Sequence, residues 1–134
     1  MKKILNILFF TLLILLGVSC SDDVSRIENK WQLCKYEYAD GVVQREDSVF
    51  YNFMKGSFSA ICLLSDGNYK TFWGNYSLEG NELKIQILSG FETEPAFEHY
   101  LNWENGSRIF KVDEISSSAL QLSYKEEKLV FRKY

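Results

Sequence analysis

Polar and apolar positions along this chain fall into two regimes. Residues 4–16 are apolar, interrupted only by Asn6 and Thr11, and follow Met1-Lys2-Lys3. From Lys30 onward, short runs rich in Val, Ile, Phe, Tyr and Trp alternate with turn residues. Such runs, apolar at every second position and bounded by Gly, Asn, Asp and Ser, read as strands with one face in a core. The runs are 31–38, closed by Asp40-Gly41; 48–54, closed by Lys55-Gly56; 58–64, closed by 65–68; 69–78, closed by 79–81; then 83–88, 108–112, 119–124 and 128–134. The pattern predicts eight strands.

Most connections between these runs are tight, which favours an antiparallel meander over a sandwich whose crossings need longer loops. Eight antiparallel strands remove their unpaired edges by closing, so the expected fold is all-β, an eight-stranded antiparallel up-and-down barrel. The stretch 90–106 breaks the pattern. Thr93 there suits a helix cap, Pro95 a first turn, Phe97, Tyr100 and Leu101 one face, and Gly106 a stop. A short lid helix and an irregular loop are both compatible with it, and either brings Phe97, Tyr100 and Trp103 to a barrel mouth.

The first 19 residues read as a secretory signal: a basic start, an apolar stretch too short for a span of about 20 residues, and small residues before a cut site. Gly17-Val18-Ser19-Cys20 resembles the lipobox of bacterial lipoproteins. That resemblance implies a diacylglyceryl group on the Cys20 thiol and an acylated new amino terminus, with palmitate as the expected chain. Several acyl chains anchor stably where one holds only marginally. Ser21-Asp22-Asp23 resembles the acidic tag that directs lipoproteins to the outer leaflet in one group of Gram-negative bacteria. The expected organisation is a signal peptide at 1–19, a lipidated acidic linker at 20–28 and a barrel domain at 29–134. The expected place is the outer membrane, at the cell surface or on the periplasmic face.

Charge narrows the partners. The whole chain of 134 residues carries 15 basic and 18 acidic side chains, net −3; without residues 1–19 the balance becomes −5. Nucleic acid needs clustered Lys and Arg and is excluded as a partner. An acidic domain is also not expected to adhere electrostatically to an anionic bilayer, which leaves the lipid as its hold on the membrane.

Three segments carry a further likeness. Asn29-Lys30-Trp31 at the first strand, Gly74-Asn75-Tyr76-Ser77-Leu78, and Leu129-Val130-Phe131 in the last strand resemble the lipocalin-like domains found in many bacterial lipoproteins. In that family a Gly stands two residues before the Trp, where this chain has Asn29, a residue that also enters left-handed backbone. A basic residue of the last strand packs across the Trp; Arg132 and Lys133 are the candidates here, and alternation with Leu129 and Phe131 favours Lys133. The resemblance implies a barrel and a tendency to bind small apolar molecules.

No catalytic constellation is visible. His99 is the sole histidine and lies in the irregular stretch, and Cys34, Cys62 and His99 lack metal-ligand spacing, so neither enzyme activity nor a metal or cofactor is expected. In a meander, Cys34 and Cys62 stand about two strand spacings apart, roughly 9 to 10 Å, which disfavours a disulfide. Alternation points Trp31, Leu33, Tyr51, Phe53, Phe72, Gly74, Tyr76, Leu78, Leu83, Ile85, Ile87, Phe110, Val112, Leu120, Leu122, Leu129 and Phe131 inward. Among these, Trp31, Tyr51, Phe72 and Tyr76 are the candidate lining of a site for a small apolar or aromatic molecule. The set is bulky, so the alternative is a filled barrel that serves as an interaction module toward a cell-envelope protein.

Overall fold

A computed structural model describes residues 26–88 and 94–134. The expected signal peptide, Cys20, the acidic triplet and Thr93 lie outside the described residues. The strands are β1 (Lys30–Tyr38), β2 (Val43–Arg45), β3 (Val49–Met54), β4 (Ser57–Leu63), β5 (Tyr69–Glu79) and β6 (Glu82–Ile87), followed by the helix α1 (Glu94–Leu101). Then come β7 (Ser107–Ile115), β8 (Ala119–Tyr124) and β9 (Glu127–Lys133).

Each strand pairs antiparallel with its neighbour, and β9 pairs back onto β1 over Trp31 to Tyr38, closing the sheet into a barrel. β2 was not expected. It pairs with Lys35, Tyr36 and Glu37, on the same edge of β1 that β3 takes up at Lys30, Trp31 and Gln32. β2 and β3 therefore behave as one strand interrupted at 46–48, and the eight-stranded meander stands with one short addition.

Bulges bend the sheet at two places. The β1–β9 register slips at Cys34, between Leu33 and Lys35, and the β7–β8 register slips at Asp113, between Val112 and Glu114. An unpaired extra residue reverses which parity faces inward. Trp31 and Leu33 are buried before the first bulge and Tyr36 after it. At the β3–β4 hairpin, Lys55 (φ 44°) and Gly56 (φ 85°) are both left-handed, the two-residue turn whose twist matches that of the strands.

Gly74 has a steric role. A Cβ there would stand 2.0 Å from the Gln86 carbonyl oxygen on β6, so only glycine lets β5 and β6 approach this closely. Cys34 and Cys62 are free thiols on β1 and β4 with β3 between them.

Since every strand reverses direction, the turns alternate between two ends. The lower end carries the turns at 55–56, 80–81 and 116–118. Ile27, fully buried, enters there just ahead of β1, and its carbonyl accepts a hydrogen bond from Trp31 Nε1 at 3.0 Å. The other end carries the turns at 39–42, 64–68 and 125–126 together with α1, and is the lidded end. The irregular stretch is thus a helix in part. It stops at Leu101 rather than near Gly106, because Asn102 takes a left-handed φ of 60° and its N–H bonds to the Glu98 carbonyl at 3.1 Å. Gly106 instead makes room for the lid, since a Cβ there would meet the Phe97 ring at 3.1 Å.

Inward residues of all eight long strands, with Ile27 and the lid's Phe97, Leu101 and Trp103, form one contiguous core. Burying each large apolar side chain contributes roughly 1.5 to 3 kcal/mol before entropy is counted.

Candidate functional site

The middle of the barrel is occupied by aromatic rings. Tyr51 of β3 has no exposed surface and stands edge-on to Phe58 (5.3 Å) and tilted on Phe131 (4.9 Å). Trp103, just beyond α1, reaches down from the lidded end into this cluster. Its Nε1 donates to the Tyr51 hydroxyl at 3.0 Å, and its ring stacks on Phe58 at 6.3 Å and meets Phe110 at 5.9 Å. A polar tip inside a core needs a partner, and each of these two supplies the other's. Burial raises the Tyr51 hydroxyl pKa far above its ordinary value of 10.0, so it stays protonated.

The four candidate lining residues are spread along the barrel axis. Trp31 lies near the lower end and Tyr51 at the centre. Phe72 sits beneath the lid, against Phe97 (5.7 Å) and Tyr100 (6.1 Å). Tyr76 is half-buried and edge-on to Phe53 at 5.0 Å. Trp31, Tyr51 and Phe72 are each 0% exposed, so none of them borders open space. What surrounds them is the protein's own side chains. Of the two basic candidates beside Trp31, Lys133 is its register partner and is exposed, whereas Arg132 turns outward to donate from Nε to Gln32 Oε1 at 2.7 Å.

Above Trp103 the chemistry becomes polar. The side chain of Arg108, on β7, is only 2% exposed, and its guanidinium lies 3.9 Å from the Tyr124 ring centroid and 5.5 Å from those of Trp103 and Phe110. Nη2 donates to the Asn102 carbonyl at 2.8 Å and lies 3.5 Å from Glu104, while Nη1 lies 3.5 Å from Glu127. Nε has no hydrogen-bond partner. The two carboxylates respond in opposite directions. Burial raises the Glu127 pKa above its ordinary value, and the opposing pull of Arg108 does not undo this. Glu104 is affected by burial too, but the Tyr124 hydroxyl, its own backbone, Arg108 and Lys125 outweigh it and hold the group low.

Around this network a cleft of about 590 Å³ opens between the 39–42 turn, the 125–126 turn and the segment after α1. It is lined by Tyr38, Asp40, Glu104, Tyr124, Lys125 and Glu127, among others. Two more hollows are open: one of about 400 Å³ crosses β5, β6 and β7 and includes Tyr76, and one of about 460 Å³ lies beside Cys62, His99 and Tyr100. The Cys62 thiol in the latter donates to the Tyr100 carbonyl at 3.5 Å, and burial pushes its pKa up to about 12, which makes it a poor nucleophile. His99 stands edge-on to Tyr100 on the exposed side of α1. Among the described residues no three His, Cys, Asp or Glu side chains are grouped to hold a metal ion.

Sequence reasoning missed Arg108 and the depth to which Trp103 reaches. Arg108 shares the parity of Phe110 and Val112, and that parity is the signal that could have found it, but the inward set on this strand began at Phe110. For Trp103 no pattern was available, because its position depends on where the lid ends.

The comparisons with known proteins agree with this architecture. A family model described as a lipocalin-like domain matches residues 13–134. The crystal structure of a lipocalin-like protein from Bacteroides uniformis is similar, with 50% identity and a TM-score of 0.76 over 81% of this chain and 99% of that one. An uncharacterized protein from Bacteroides eggerthii is similar at 38% identity and a TM-score of 0.71, over 79% and 98% of the two chains. No curated protein matches.

Proposed function

Because the chain belongs to the lipocalin-like domain family, we propose that it is a non-enzymatic, membrane-anchored binding protein that meets a small apolar or aromatic molecule at its lidded end. In this reading Cys20 carries the lipid and the outer membrane is the site of action, at the cell surface or on its periplasmic face. The mouth cleft, flanked by the Tyr38 and Tyr124 rings, receives the ligand. One observation carries the choice of the mouth over the interior: Trp103, hydrogen-bonded to Tyr51 at 3.0 Å, fills the space where a ligand held deep in the barrel would lie. A cleft with a few oriented polar groups beside aromatic faces has the make-up of a small-molecule site.

The experiment is to expose the protein to a cell-envelope lipid extract, weigh it under native conditions, and map hydrogen exchange with and without any bound mass. Slowed exchange around 38–42 and 124–127 is the expected result. Protection centred on Trp31 and Phe72 would move the ligand into the barrel, and no bound mass from repeated extracts would remove the ligand reading.

A second reading, as an interaction module toward a cell-envelope protein, is favoured by the outer face of the sheet. Trp73 is 65% exposed, and the neighbouring Leu88, whose N–H bonds to the Trp73 carbonyl at 2.8 Å, is 56% exposed. Bulky apolar groups side by side in water are a feature of contact surfaces.

A further inference from the structure

Charge on the lower half of the barrel is sorted by side. On the β1–β3–β9 side, Arg26, Lys55, Arg132 and Lys133 are exposed and Lys30 is half-buried, with Glu28 as the neighbouring acid. On the opposite side, β5, β6 and β7 carry Glu79, Glu82, Asp113 and Glu114, all exposed, against Lys84, paired with Glu82 at 3.4 Å, and Lys111, the register partner of Glu82, so that this side keeps a small acidic excess. The register gathers the basic group: Lys30 follows Asn29 and faces Asn52, Trp31 faces Lys133, and Gln32 faces Arg132. Lys30 Nζ lies over the rings of Phe50 (5.0 Å) and Tyr134 (4.8 Å), which sets its positive charge among aromatic side chains at the surface. Two large side chains project beside it, Met54 at 63% and Tyr134 at 69% exposure. Lys and Arg interleaved with Tyr and another apolar side chain is the composition suited to a bilayer interface.

The chain enters the domain at this corner. From Cys20 to Arg26 there are six residues, which span at most about 20 Å when extended. We propose that this β1–β3–β9 corner is a membrane-docking surface that seats the domain on anionic headgroups, lower end down, so that the lidded cleft faces away from the bilayer. Its position relative to the lipid rests on the anchoring reading above; its charge complementarity does not. Net charge alone predicted no electrostatic adhesion. The sorting overrides that, because interactions weaken beyond a Debye length of about 8 Å and the acids of the far side lie across the barrel. Asp22 and Asp23 in the tether oppose the docking and reduce it without reversing its sign.

The test uses the full chain purified with its native amino terminus and reconstituted into vesicles of phosphatidylcholine alone or with added phosphatidylglycerol. Hydrogen exchange around 54–57 and 132–134 is expected to slow only in the anionic vesicles and to recover at high salt. The triple variant Arg26→Gln, Lys55→Gln, Lys133→Gln changes exposed side chains only, so its thermal midpoint checks that folding is intact. It should exchange equally in both vesicles. Equal exchange of the native chain in both, or slowing at the 39–42 and 125–126 turns instead, overturns the proposal. The anchoring reading is tested separately by weighing the amino-terminal peptide that contains Cys20. Full chain carrying Cys20→Ser keeps the apolar 4–16 run and should sediment with both vesicles, but more strongly with the anionic ones, and the triple variant should lower that anionic excess about 100-fold, or about five-fold per charge. Sedimentation unaffected by the triple variant counts against docking whatever the state of Cys20.

Discussion

At the lower end, Ile27 and Trp31 close the barrel with apolar surface and one hydrogen bond between residues four apart in sequence. At the lidded end, closure runs through Trp103, bonded to Tyr51 52 positions away, and through Arg108, which ties the lid's exit to Glu127 and Tyr124. The lower seal is local and almost wholly apolar. The upper seal is non-local and contains a nearly buried charge whose partners must all be in place. A buried ion pair contributes little net stability, yet breaking one partner away is costly, so the lidded end is the more sensitive to single changes. It is also the end where an open cleft and polar groups coincide.

Substitutions can break this contrast, beginning with the largest effect. Trp103→Ala removes the ring that fills the centre and should lower unfolding free energy by about 4 kcal/mol in urea denaturation. The same variant should hold a small apolar fluorescent probe inside the barrel, where Trp103 leaves no room for one in the native protein, read as added protection around Tyr51 and Phe58 in hydrogen exchange. Arg108→Met keeps the volume and strands Glu127, for a loss of about 3 kcal/mol; adding Glu127→Gln should recover part of it, read as a double-mutant cycle. Ile27→Ala, at the lower end, should cost about 2 kcal/mol, the low end of the range for such truncations, because an entering chain relaxes more easily than a strand. If it proved the costliest of the three, the contrast between the ends would be reversed.

The smallest effect sharpens the electrostatics. The native fold holds the Glu127 proton to higher pH than the unfolded chain, whose value is near 4.5. Stability from this group is therefore present below about 4.5 and lost as pH rises through the raised native value. Glu104 is shifted the other way, so its contribution is present above its unfolded value and lost as pH falls. Glu127→Gln should remove the downward component alone. Denaturation midpoints measured from acid to neutral pH for native protein and variant should diverge with a slope of that sign.

Much of the barrel was legible because its strands obey a period of two and their turns carry Gly, Asn and Asp at the reversals. The inward set from Trp31 to Phe131 followed from parity alone. Parity failed where an extra residue entered, at Cys34 and Asp113, since a bulge leaves no mark in a string of side-chain types. The strand β2 escaped notice because Val43-Gln44-Arg45 is short and fully exposed. The candidate site was less legible. Trp31, Tyr51 and Phe72 were placed inside correctly, yet whether a ring lines a space or fills it depends on what enters from elsewhere, and Trp103 enters from the one non-strand connection.

The sequence by itself determined the all-β meander, its closure and its apolar interior, because alternation and turn chemistry are local properties of the chain. Only the tertiary structure decided that the interior is filled, that Arg108 is nearly buried, and that the lower basic residues share one corner. Each of these depends on groups far apart in sequence being brought within a few ångströms, and no local period encodes such a distance.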